Sequence, residues 1–128
     1  MHGLNITRQT DVEPQTDVLH LVGSVTFAEA SELRRQLFDA IETRGDDPGG
    51  RLVLELADVK TMDTSAMAVL VEGLLATRHR GPHVSFCTPS RSVRKVFELA
   101  GLTEALERCY GCLGDALSQH PDSCAVCD

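Results

Sequence analysis

Aromatic side chains are scarce: one Tyr, four Phe and no Trp make up 4% of the 128 residues. A chain so poor in rings has few platforms on which bases or sugars could stack, and its core must rest on Leu, Val, Ala, Ile and Met. Excess positive charge is missing too. The 19 acids against 12 Lys and Arg give a net charge of −7, a field that repels phosphate backbones and anionic membranes, so no nucleic-acid partner is expected. The longest apolar stretch, Ala66 to Ala76, is broken by Glu72 and is too short for the roughly 20 residues a spanning helix needs, so no membrane insertion is expected. Met1 to Arg8 lacks the basic start and apolar segment of a secretory signal, and the chain is read as cytoplasmic. Five cysteines, an odd number, argue against a disulfide framework in such a chain. A Gly-rich phosphate loop, a Gly-x-Ser-x-Gly elbow and a paired-carboxylate constellation are all absent, which points away from an enzyme and toward a binding module.

What is present reads as one ordinary globular domain, 42% apolar and 24% charged, with a size that supports a single core. Leu4 to Thr10 and Val18 to Val25 read as strands joined by a polar turn at Pro14, the second with Leu19, Leu21, Gly23 and Val25 on one face. Thr26 and Glu29 form a capping box, and Ala30, Leu33, Leu37 and Ile41 follow at helical spacing. Leu52 to Leu56 is nearly all apolar, as for a central strand covered on both faces. Met67, Leu70, Val71, Leu74 and Leu75 then make one core stripe of a second helix ending near Gly81-Pro82. His83 to Cys87 alternates as a strand. Thr88 and Pro89 suit a helix start, Val93, Val96, Phe97 and Ala100 its buried face, and Gly101 a left-handed C-terminal cap. Leu106 to Leu117 suggests a last short element and helix. The alternation predicts an α/β fold with a mixed, mostly parallel sheet of four to five strands and about four helices.

The most informative stretch is Val59 to Ala68, between the central strand and the second helix. Asp63 is the expected N-cap, its carboxylate accepting from the amide of Ser65 or Ala66 at the positive end of the helix dipole. With Met67 at the centre of the buried side, a step of about 100° per residue turns Ser65, Val69, Gly73 and Ala76 outward. That outward row is small and apolar, which predicts a second surface to bury. The expected partner-binding residues are therefore Asp63, Thr64, Ser65, Ala66, Val69 and Gly73.

The run Met62-Asp63-Thr64-Ser65 followed by small and apolar residues resembles the signature of STAS-domain anti-anti-sigma factors (anti-sigma factor antagonists), whose loop reads Asp-Ser/Thr-Ser before Gly-Leu-Gly. Gly23 and the Ala100-Gly101-Leu102 ending are also similar to that family. Ala66 and Ala68 stand where the family has its two glycines, and Thr26 where it often has an acid. The resemblance implies a single STAS domain over residues 1–118 with a Cys-containing tail over 119–128. It implies that Ser65 is phosphorylated by an anti-sigma factor that is itself a serine protein kinase, that only the unphosphorylated form binds that factor, and that a PP2C-type phosphatase is a further partner. No cofactor follows from it. A second role of the same fold is a docking subunit of a lipid-transport ATPase complex, without phosphorylation.

The spacing Cys109-x-x-Cys112 and Cys124-x-x-Cys127 is compatible with thiolate zinc, which would make the domain a thiol- or zinc-responsive module. The expectation is that these residues hold no metal, since the last two lie among the final five residues, where chains fray. His2, His20, His79, His83 and His120 show no ligand spacing.

Overall fold

The computed structural model describes residues 3–45, 49–87, 91–99, 101, 109 and 110. The strands are β1 (Leu4–Glu13), β2 (Thr16–Val25), β3 (Arg51–Met62), β4 (His83–Cys87) and β5 (Cys109–Tyr110), and the helices are α1 (Phe27–Arg44), α2 (Thr64–Ala76) and α3 (Arg91–Leu99). They form one five-stranded sheet in the order β1-β2-β3-β4-β5. The β1–β2 hairpin is antiparallel and the other pairings are parallel. Each parallel step is a strand–helix–strand crossover in the same direction, and right-handed crossovers then put the helices on one face. The expected α/β class and mixed sheet hold, with three helices among the described residues.

Two strands run further than their apolar patterns. The hairpin narrows to Pro14 and Gln15, with Gln15 at φ 62°, and its strands run past Thr10 and Val18 to Glu13 and Thr16, which pair beyond an irregularity in the register. The third strand does not stop at Leu56 but continues through Val59 to Met62, both buried. Only Asp63 separates it from α2.

Helix α1 follows its periodicity. Leu33, Leu37 and Ala40 are buried, and Ala30 and Ile41 pack at their edge. The Glu29 carboxylate accepts from the Thr26 amide (2.9 Å) and hydroxyl (2.6 Å). These bonds, the hydroxyl's first, hold the Glu29 carboxyl below its ordinary pKa, so their stabilisation is present at neutral pH and is lost as pH falls through that lowered value. The inward residues Leu19, Leu21, Leu54, Phe86, Val93 and Phe97 join α1 and α2 in one core, with the Phe86 and Phe97 rings 5.6 Å apart. Gly101, at φ 71°, donates its amide to the Glu98 carbonyl (3.0 Å), as expected of a left-handed cap. Thr88, Pro89, Ala100 and the Leu106–Leu117 elements, apart from β5, lie outside the described residues.

Gly23 is fixed by close approach. At φ 114° a Cβ there would lie 1.9 Å from the Gly3 carbonyl oxygen. That oxygen accepts from the Ser24 amide at 2.8 Å, locking the start of β1 beside the end of β2.

Candidate functional site

The C-terminal ends of β2 and β3 and the N-termini of α1 and α2 meet at Asp63. Its amide donates to the Val25 carbonyl at the end of β2 (3.1 Å). Its Oδ1 accepts from the Ala66 amide (3.0 Å), the bond anticipated for an N-cap. Its Oδ2 accepts from the Phe27 amide (2.9 Å), the first residue of α1. One carboxylate therefore answers the positive ends of two helix dipoles. The second of these bonds joins residues 36 apart in sequence, and no local pattern signals it.

Replacing Asp63 with Ala orphans amides at both helix starts. The cap alone is worth about 0.5–2 kcal/mol and the second bond about 1 kcal/mol, so a loss of about 2 kcal/mol is expected. Thermal unfolding checks it: a melting temperature unchanged to within a degree would mean that the carboxylate bridges nothing.

Ser65 occupies the second position of α2, one residue beyond the cap's first helical neighbour, and is half-buried, with Thr64 beside it exposed. Of the expected outward row Ser65, Val69, Gly73 and Ala76, only Ala76 is exposed, Ser65 is half-buried and Val69 and Gly73 face inward. Val69 is 5% exposed, Ala66 is fully buried and Gly73 is buried too. A Cβ on Gly73 would come within 2.8 Å of Leu37 Cδ2 on α1. Helix α2 thus buries one side against α1 as well as its other side in the core, and an ion pair between Arg34 and Glu72 spans the two helices. The buried arc centres between Leu70 and Gly73, about 80° round the helix from Met67. Met67, Leu70 and Leu74 remain core as expected, whereas Leu75 is 55% exposed and Val71 only half-buried.

The outward row is Thr64, Ala68, Val71 and Leu75. It runs about 16 Å along the axis at 1.5 Å per residue, and Ser65 stands at its edge. Phe27, 79% exposed, lies where its backbone meets Asp63 and extends the apolar surface across the start of α1. Sequence reading passed over Phe27. The available signal was a large ring at a first helical position outside the α1 stripe.

Among the described residues no group of three or more His, Cys, Asp or Glu side chains could hold a metal ion. Cys109 is described only as backbone of β5, and Cys112, Cys124, Cys127 and the 119–128 tail lie outside the described residues. No described helix is long and apolar enough to cross a membrane.

The same architecture is found in solved structures of low sequence identity. An anti-sigma factor antagonist from Mycobacterium paratuberculosis is 19% identical, with a TM-score of 0.73 over 92% of this chain and 96% of that one. The Bacillus cell fate determinant SpoIIAA in its phosphorylated form is 18% identical, with a TM-score of 0.62 over 90% of this chain and 98% of that one. The murine anion transporter Slc26a9 is 13% identical, with a TM-score of 0.67 over 82% of this chain but 17% of the transporter. At these identities the likeness is one of fold. No curated protein matches the chain in sequence. The family model for the STAS domain matches residues 7–116, nearly the whole chain and all of the Asp63-centred junction, and the protein belongs to the STAS-domain family.

Proposed function

We propose that the protein is an anti-sigma factor antagonist whose partner, a kinase-type anti-sigma factor, docks on the outward face of α2 and is released when Ser65 is phosphorylated. A PP2C-type phosphatase would restore the binding form. The observation that carries this reading is the place of Ser65: a hydroxyl in the first turn of α2, at the rim of an exposed row of small and apolar residues. A phosphate there adds about −1.5 to −2 charges at the favourable end of a helix dipole, so the domain tolerates it. A partner seated on Thr64, Ala68 and Leu75 would bury the same charge beside the Asp63 carboxylate. The two SpoIIAA-type and mycobacterial folds support the reading by likeness alone. The fold's occurrence within a larger transporter favours, as a second reading, a docking module that uses the same helix face without phosphate.

The test is capture of partners from a lysate of the source cells with ATP, followed by mass spectrometry of both partner and phosphosite. The expected result is an ATP-dependent serine kinase as the main partner and phosphate on Ser65, absent from the Ser65→Ala variant. Phosphate found on Thr64 instead, or a permease–ATPase complex as the partner, would refute it. Ala68→Arg provides the surface control. The side chain is exposed, so the melting temperature should change by no more than surface substitutions usually cause, about ±0.5 kcal/mol, while capture falls at least about tenfold.

A further inference from the structure

The end of the sheet opposite Ser65 has a different character. A cleft of about 650 Å³ lies where the N-terminal ends of β3 and β4 meet the segment after α2. Arg51, Arg78, His79, Arg80 and His83 line it, and among the described residues no Asp or Glu does. The whole chain has only 12 Lys and Arg against 19 acids. Three arginines around one concavity gather positive charge in an otherwise acidic chain, and clustered positive charge attracts anions.

The cleft is built on fixed backbone. The Arg51 amide donates to the Gln15 carbonyl and the His83 amide to the Gly50 carbonyl, both at 2.8 Å. The Arg51 guanidinium is half-buried and oriented by the Glu13 carboxylate (3.2 Å) and the Thr16 hydroxyl (3.3 Å). Arg78 and Arg80, both exposed, also have partners within the protein. A guanidinium carries five N–H donors in a planar fork, so internal contacts orient it without using it up. Complementing the negative end of the α2 dipole accounts for Arg78 and Arg80. It accounts neither for Arg51, which is on β3, nor for the cavity between them.

The volume is that of a small-molecule site, about 300–1,000 Å³. The lining is polar and, among the described residues, has no Phe, Tyr or Trp, so selection rests on charge and guanidinium geometry rather than on stacking. We propose that this cleft binds a small, multiply charged phosphate-bearing anion, gripped by Arg51, Arg78 and Arg80. The site lies at the opposite end of α2 from Ser65, roughly 18 Å away along the helix from Ser65 to Thr77 at about 1.5 Å per residue, and is independent of the partner switch.

The test uses the full chain, Asp46 and Asp47 included. The probe is inorganic tripolyphosphate, followed by calorimetry and by amide chemical shifts. Saturable binding that weakens with salt is expected, with shifts at Gly50, Gly81 and His83. The double variant Arg78→Ala/Arg80→Ala, exposed positions that leave circular dichroism unchanged, should bind at least about tenfold more weakly, since each lost charged hydrogen bond is worth about that factor. Absence of saturable binding overturns the proposal, as does wild-type affinity in the double variant. Shifts confined to Phe27, Ser65 and Ala66 would place the anion at the helix starts and overturn it on the wild-type protein alone.

Discussion

Ser65→Asp is expected to fold as the wild type does and to lose its partner by about a hundredfold, equivalent to about 2.8 kcal/mol of binding. The two halves of that expectation have separate causes. In the free domain the new carboxylate sits in the first turn of α2, where an anion gains about 0.3–1 kcal/mol from the dipole. The nearby start of α1 adds a second positive end, which offsets repulsion from Asp63. In the complex the same group loses its water at the rim of the Thr64, Ala68 and Leu75 surface, and a buried unpaired carboxylate costs several kcal/mol. Thermal unfolding and partner titration measure the two halves independently. A melting temperature lowered by more than about 8 °C, the upper shift for 1 kcal/mol in a small domain, would show that Ser65 is packed rather than accessible. Undiminished capture with normal folding would remove Ser65 from the interface.

Gly73→Arg is expected to unfold the contact between α1 and α2, with a loss of at least about 3 kcal/mol. Leu37, 1% exposed, already stands where the first carbon of any side chain at 73 would go. An arginine there must displace it and bury a charge in the core. The melting temperature should fall by more than about 10 °C. Gly73→Ala separates the sterics from the charge. It gains about 1 kcal/mol of helix propensity and must push Leu37 aside, so its net effect should be within about 1 kcal/mol of zero. If Gly73→Arg kept both circular dichroism and melting temperature, α2 would have to be turned so that Val69 and Gly73 face solvent, as the sequence alone suggests.

The rotation of α2 is the sharpest difference between what the sequence indicates and what the fold does, and its origin is physical. Helix α1 alternates charged and apolar residues, and a stripe such as Leu33, Leu37 and Ala40 can bury only one way. From Ala66 to Leu75 the single charged residue of α2 is Glu72, so apolar side chains surround the axis and periodicity sets no phase. A buried side centred on Met67 is one of several rotations that the pattern allows. The approach of α1, permitted by the missing side chain at Gly73, selected another. Asp63 divides in the same way. Its role as a cap was legible from its place before a helical run, but its bond to the Phe27 amide depends on β2 and β3 ending side by side.

By itself the sequence determined the order of strands and helices, the α/β class, the buried stripe of α1, the short strand His83–Cys87 and the position of Ser65 in the first turn of a helix. Each of these follows from local periodicity or capping chemistry, which neighbouring residues settle among themselves. Only the tertiary structure decided which face of α2 is free, that Phe27 stands exposed at the same junction, and that Arg51 of β3 shares a cleft with Arg78 and Arg80. These depend on how close two helices pack and on which strand ends align. Such distances are set by the summed packing of the whole core, and no short stretch of sequence contains them.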